Sequence, residues 1–270
     1  ATAEGLDTLA GGFAAGLRPT GNKDPFALRR NALGLARTVI ESGFALDIRQ
    51  AIARAVLQAH LAIAKIPATD ADRVAALAAT LGLKRDGAHV SVIRVVADGD
   101  VEAVYDFILD RLKGYYADKG VPGPHFNAVA ALRPASLYDF DRRIDAIGTF
   151  AQLPEAEALA AANKRINNIL KKADVDIPSI EDKDLLREPA ESALAEAVEA
   201  VYAETGQALA HGDYVDALAH LARLRPQVDA FFDGVMVNVD DVALRRNRLA
   251  LLKRLADRLG SVAAIEHLSS

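Results

Sequence analysis

Cysteine is missing from this chain of 270 residues, which removes disulfides, thiolate nucleophiles and cysteine-ligated zinc, and fits a reducing cytosol. Long apolar runs are missing too. Hydrophobic residues make up 51% of the chain and mean hydropathy is +0.10, yet a Lys, Arg, Asp or Glu interrupts each apolar stretch well before the ~20 residues of a spanning helix. The opening ATAEGLDTLAGG has neither an initiator Met nor a basic-then-apolar pattern, so it is expected to be an internal cut of a longer protein rather than a targeting segment. There is no excess of positive charge. At a net charge of -5 the chain is no basic coat, and nucleic acid could be held only by a local patch. The expectation is a soluble, cytoplasmic chain with ample residues for a hydrophobic core.

Catalytic motifs are absent as well. No HExxH, GxSxG or clustered His/Asp/Glu spacing occurs, and none of the six histidines is followed by Asp, so no catalytic centre is expected in the chain. GLRPTGNKD imitates a phosphate-cradling loop, with Gly16 and Gly21 at the right spacing and Lys23 shortly after. A working loop needs Lys directly after the second Gly, a Ser or Thr hydroxyl for magnesium, and a strand feeding the turn. Here Asn22 intervenes, Asp24 would repel phosphate, and the preceding LDTLAGGFAAG reads as helix.

What is there is helix. Ala, Leu, Arg and Glu dominate, apolar residues recur at helical spacing, and Pro or Gly punctuates at 19–25, 67, 120–124, 134, 178, 189 and 226. The pattern predicts two helices over 26–66 separated by Gly43 as a stop, then a weaker stretch over 67–99. Within it VSVIRVV at 90–96, bounded by Asp86-Gly87 and Asp98-Gly99, is β-branched and predicts the only strand. From Val101 the stripe Val101, Val104, Phe107, Ile108 and Leu112 restores helix until Gly120 ends it. Further helices are predicted at 155–174, 189–211, 213–224, 226–234 and 240–259, with DIPSIEDKD at 176–184 as a surface connection.

Two stretches carry a family resemblance: AANKRINNILKK at 161–172 and RPQVDAFFDGVMVNVDDVALRRNRLALLKRL at 225–255. In order, they resemble the anticodon-binding domain that ends the beta subunit of bacterial glycyl-tRNA synthetase, a helical module akin to that of arginyl-tRNA synthetase. LDTLAGGFAAGLRPTGNKDPFALRRNALGLAR at 6–37 resembles the end of that subunit's HD-like domain, and the stretch from 139 to 172 resembles the entry into the anticodon-binding domain. SVAAIEHL resembles the family's own ending. The segment 67–99 departs from the family and reads as an insertion. The resemblance implies an all-α chain in three parts: 1–66 as the end of the HD-like helical domain, 67–154 as a connecting helical body, and 155–270 as a helical-bundle anticodon-binding domain. HD-type hydrolysis would need upstream metal ligands that this chain lacks; Asp7, where a trailing Asp would fall, reads as a first-turn or capping residue.

The candidate RNA-binding residues come from charge and from the family motif together. In the helix over 155–174, Ile166, Ile169, Leu170 and Ala173 form an apolar stripe. Lys164, Arg165, Asn167, Asn168, Lys171 and Lys172 point elsewhere and make a basic face, whose blander reading is a solvated helix surface. On a helical wheel for 241–259, Leu244, Leu251, Leu252, Leu255 and Leu259 fill one arc, extended by Leu249 and Val242. Charge nominates Arg246, Lys253, Arg254 and Arg258, outside the arc, for phosphate. The family's LR-x-NRL pattern nominates instead Arg245, Asn247 and Arg248, although an arginine among leucines more often pairs with a carboxylate such as Asp229, Asp233 or Asp241. Asn247 could read a base edge. Phe231, Phe232, Tyr115 and Tyr116 could stack on unpaired bases, with Phe231 and Tyr115 the nominees, while packing predicts that at least one of each adjacent pair is buried. Asn238, in the VMVNVDD turn, is the candidate for base recognition.

The resemblance implies binding of tRNA-Gly, with the anticodon loop held so that the acceptor end reaches a separate alpha subunit. There ATP and Mg would serve glycylation, in a heterotetramer of two alpha and two beta subunits. It implies no cofactor in this chain, no membrane and no DNA. The alternative is a helical protein-interaction scaffold that binds no RNA.

Overall fold

The computed structural model describes residues 2–24, 26–67, 69–81, 83–85, 93–95 and 99–269, with the backbone alone at 83–85 and 93–95. The chain packs as two compact units, Ala1–Val121 with Pro134–Asp141, and Pro122–Arg133 with Arg142–Ser270. These units cut the chain at points other than 66 and 154. Among the described residues there are twelve α-helices and one two-stranded hairpin, so the fold is all-α in all but that detail.

The first unit holds α1 (Thr2–Ala14), α2 (Leu28–Glu41), α3 (Ile48–Ile63), α4 (Ala71–Thr80) and α5 (Asp100–Asp118). Helix α2 starts where the Asp24 carboxylate accepts from the backbone N–H of Leu28 at 2.8 Å and of Arg29 at 3.0 Å, filling two of the donors that a helix start leaves open. It stops at Glu41, just before Gly43 at φ 65°, as the sequence predicts. Helix α3 is capped by Asp47, which accepts from Gln50 N at 2.9 Å. In α5, Val101, Val104, Ile108 and Leu112 are buried. Phe107 is only half-buried, and the fully buried place goes to Tyr105, whose hydroxyl donates to the Pro134 carbonyl at 2.8 Å.

Helix α1 runs up to Ala14, so a helix rather than a strand enters the glycine loop, and Asp24 serves as a helix cap. Asp7 is an exposed residue in the second turn of α1, neither first-turn nor capping. The lone strand is corrected to a pair: β2 (Ile93–Val95) runs antiparallel to β1 (Leu83–Arg85). An isolated strand would leave its backbone groups unpaired, and Leu83-Lys84-Arg85 lacks the β-branched signal that marked its partner. Residues 86–92 and 96–98, which include positions 90–92 and 96 of the predicted strand, lie outside the described residues.

Helix α7 (Leu137–Phe150) passes from the first unit into the second. The second unit adds α6 (Gly123–Ala130), α8 (Ala156–Lys171), α9 (Pro189–His211), α10 (Tyr214–Ala222), α11 (Arg225–Gly234) and α12 (Val242–Leu259), with 3-10 turns at Lys183–Leu185 and Ile265–Leu268. Helix α9 opens on a reciprocal capping box between Glu188 and Glu191 with Pro189 in the first turn, and closes on Gly212 at φ 68°. Asp213 and Asp241 cap α10 and α12.

Helix α12 packs against both α8 and α9. It is therefore enclosed over most of its circumference: Asn247, Arg248, Leu249, Ala250, Leu251, Leu252, Leu255, Ala256 and Leu259 are all buried. At its start Val242 is 50% exposed and Leu244 only half-buried, so the apolar arc does not reach the first turn. The connection at 176–184 is not purely a surface segment, since Glu181 is buried.

Candidate nucleic-acid interface

A helix enclosed on several sides must satisfy its polar side chains within the protein. Arg248 Nε donates to Glu191 Oε1 at 2.7 Å, its second guanidinium arm reaches Oε2 at 3.5 Å, and its third donates to the Met236 carbonyl at 2.8 Å. Burial pushes the Glu191 carboxyl up, but hydrogen bonds from Arg248 and from the backbone N–H of Glu188 and Arg187 outweigh it and hold the group below the usual carboxylate range. Arg245 faces Asp174 at 3.8 Å. The carboxylates that Arg245 and Arg248 meet are thus Asp174 and Glu191, not Asp229, Asp233 or Asp241.

The rest of α12 is similarly committed. Arg246 donates to the Asp176 carbonyl at 2.8 Å and reaches its carboxylate at 3.5 Å. Lys253 pairs with Asp257 at 2.5 Å. Arg254 bridges Glu181 at 2.5 Å and Glu199 at 2.7 Å. Arg258 lies over the Tyr202 ring and donates to the Tyr202 carbonyl at 2.9 Å. Asn247 is buried, and both ends of its amide hold the Asp182 backbone. Arg254 is therefore drawn into the fold, Arg246 and Lys253 are paired but remain 42% and 44% exposed, and Asn247 presents no edge to a base.

Helix α8 is the opposite case. Ile166 is buried, Ile169, Leu170 and Ala173 are half-buried, and Lys164, Arg165, Asn168, Lys171 and Lys172 are exposed. None of these four cations pairs with a carboxylate among the described residues. Asn167 is turned inward and donates to Glu266 at 3.1 Å.

One flank of α8 faces the end of α11 and the following turn. A groove of about 510 Å³ runs between them, lined by Arg165, Ile169, Phe232, Met236 and Asn238 among others. The Arg165 guanidinium lies 4.0 Å from the centre of the Phe232 ring, Met236 is 72% exposed, and Asn238 is exposed. The structure thus brings Arg165 and Asn238 into one groove and leaves Lys171 on the other flank of the helix.

Phe231 is fully buried and packs edge-on against Phe232, with ring centres 5.7 Å apart. It cannot receive a base; Phe232 holds the surface position. The signal was present in the sequence, because Leu224, Val228, Phe231 and Val235 recur at helical spacing and all four are buried. Tyr115 belongs to the first unit, half-buried between Lys119 at 4.4 Å and Arg37 at 5.8 Å, while its neighbour Tyr116 is buried and donates to Asp141 at 2.7 Å. Among the described residues no three His, Asp or Glu side chains gather as a metal site would require, and no helix is long and apolar enough to cross a membrane.

Residues 1–131 match the family described as glycyl-tRNA synthetase beta subunit, and residues 159–265 match the family described as DALR anticodon binding domain. The chain is 67% identical over 274 residues to a glycine–tRNA ligase beta subunit of Xanthomonas campestris, covering 100% of this chain and 35% of the relative. It is 56% identical to that of Xylella fastidiosa, covering 99% of this chain and 37% of the relative. It is 45% identical to that of Pseudomonas aeruginosa, covering 98% and 34%. The chain thus spans about a third of the length of the curated relatives it matches.

Proposed function

The chain belongs to the glycyl-tRNA synthetase beta-subunit family, and on that footing we propose that residues 155–270 hold the anticodon arm of tRNA-Gly. One observation carries this reading. Of the two cation-rich helices in the second unit, α12 has most of its cations engaged by carboxylates and carbonyls of the fold, whereas on α8 Lys164, Arg165, Lys171 and Lys172 are exposed and meet no carboxylate among the described residues. Phosphates are the partners that such a face would take, and phosphate contacts fix register without reading sequence.

Base reading falls to the groove beside it. Single-stranded loops are recognised by splayed bases that stack on aromatic or guanidinium planes and bond along their edges. Arg165 laid over Phe232 offers such a plane, and Asn238, which also lines the groove, offers an amide donor and acceptor. In the whole enzyme this grip would position tRNA-Gly for ATP- and magnesium-dependent glycylation on the alpha subunit, in a cytoplasmic heterotetramer of two alpha and two beta subunits. This chain's share is recognition, with no cofactor of its own.

The test is affinity of the chain for tRNA-Gly across a salt series. Several phosphates neutralised together give a log–log slope of about 0.7–0.9 per contact. A flat response, or equal affinity for a tRNA with an altered anticodon, would remove the proposal in favour of a protein-interaction scaffold.

A further inference from the structure

A groove of about 540 Å³ runs between α9 and residues 181–186. Its lining on α9 extends from Ser192 to Ala203, about 17 Å of helix at 1.5 Å per residue. Leu186, Ala195, Ala200 and Ala203 make an apolar wall, and Glu196 and Glu199 stand exposed at the rim. Alanines keep that wall low, which leaves room for the side chains of a second helix laid along it. The surrounding charge is mostly negative. No Lys or Arg occurs from 188 to 222, while Glu196, Glu199, Glu204, Asp213 and Asp216 are all exposed. Glu181 lines the groove with its side chain 2% exposed; one carboxylate oxygen takes Arg254 at 2.5 Å and the other, Oε2, has no partner. Arg254 is shared, since it also holds Glu199 at 2.7 Å. Oε2 is closed to direct contact, but the carboxylate's charge acts over several ångströms through the protein interior. Against Glu181, Glu196 and Glu199 stand Arg254 and Lys183, so the groove keeps a surplus of negative charge.

A phosphate backbone is repelled by such a rim, and a cationic partner is drawn to it. We propose that this groove docks a basic amphipathic helix of a protein partner, with apolar side chains against Leu186, Ala200 and Ala203 and a lysine or arginine on Glu196 and Glu199. Long basic side chains suit this geometry, because their stems cover apolar surface while the charged head reaches a carboxylate at the rim. The site uses neither the α8 cations nor the groove at Asn238, so it goes beyond the RNA reading and stands or falls separately from it.

The probe is a fluorescein-labelled helical peptide with leucine along one side and arginine along the other, titrated with the chain beside a twin that carries glutamate for arginine. The arginine peptide is expected to bind and the glutamate twin to stay free. Ala200→Leu fills the groove from an exposed helix position, where leucine is nearly as good a helix former as alanine, and should weaken the peptide about tenfold. Glu196→Gln should weaken it about threefold, while Asp118→Asn, which removes one exposed charge from α5, should leave it unchanged. Binding that ignores Ala200→Leu, or that falls as far in Asp118→Asn as in Glu196→Gln, marks diffuse attraction to an acidic protein and overturns the site, as does an arginine peptide that stays free. Affinity for tRNA-Gly is measured in parallel. If tRNA displaces the peptide, or is itself weakened by Ala200→Leu, the face belongs to RNA and the docking proposal falls. If tRNA does not bind and the peptide pattern holds, the RNA reading falls and the docking groove stands. Sedimentation of the chain alone tests for a second copy: self-association abolished by Ala200→Leu would make this chain its own occupant and overturn a separate partner.

Discussion

Asn247 clamps Asp182 from 65 residues away: its Oδ1 accepts from the Asp182 N–H at 2.6 Å while its amide nitrogen donates to the Asp182 carbonyl at 2.9 Å. One side chain thereby completes a backbone unit that belongs to no helix or strand. Asn247→Leu leaves both Asp182 groups short of a partner at a part-buried position, and should destabilise the chain by about 2–3 kcal/mol. Asn247→Asp keeps the acceptor and loses the donor, so its urea midpoint should fall between those of wild type and Asn247→Leu. Equal midpoints for all three would show that water replaces the clamp without loss.

The Arg248–Glu191 pair is buried on both sides, at 6% and 0% side-chain exposure. Arg248→Met strands the Glu191 carboxylate in the interior and should cost about 3–5 kcal/mol. Acid should act on the same pair. The folded carboxyl of Glu191 is held below its ordinary value of 4.5, so its contribution to stability is present above pH 4.5 and is lost as pH falls through the lower folded value. Denaturant unfolding at a series of pH values below 4.5 should therefore lose less stability in Glu191→Gln than in wild type. Parallel losses would show that other carboxylates govern the acid limb.

Charge on α8 and shape in the groove should separate in binding. Lys172→Ala should weaken cognate and mismatched tRNA alike and lower the salt slope by about 0.7–0.9. Asn238→Ala should weaken cognate tRNA more than mismatched, by about 1–3 kcal/mol if it reads a base edge. Filter binding with two tRNAs at three salt concentrations measures both, and indistinguishable effects would undo the division of labour.

Gly212 closes α9 at φ 68°, and a Cβ there would stand 2.6 Å from Arg142 Nη1. Gly212→Ala should cost about 1–2 kcal/mol from the left-handed backbone alone. Arg142 would also have to give up its present place, where it donates to the His211 carbonyl at 3.3 Å. Adding Arg142→Ala should recover the steric part of the loss and leave the backbone part.

Helix positions were legible because each is written locally. The predicted 189–211 is observed as Pro189–His211, and 240–259 as Val242–Leu259, since Pro189, Gly212 and Asp241 mark their own ends. What could not be read is which cations stay free. Arg248 finds its carboxylate 57 residues away, and Arg254 finds two, at 73 and 55 residues. A helical wheel sorts residues into inside and outside, and α12 has little outside to offer. For the same reason Asn247, Arg246, Lys253 and Arg254 look available in sequence and are engaged in structure. Phe231 and Phe232 were separable by the spacing of Leu224, Val228 and Val235, which assigns the first to the interior.

Arg248 does more than neutralise Glu191, because its third arm ends on the carbonyl of Met236, two residues before Asn238. The exposed turn is thereby wired to the opening of α9, where Glu191 also holds the backbone N–H of Arg187 and Glu188. A change that never meets the ligand can therefore tilt the residue that would. On the proposed reading of Asn238, a substitution at Glu191 should surface in a discrimination assay as well as in a melting curve.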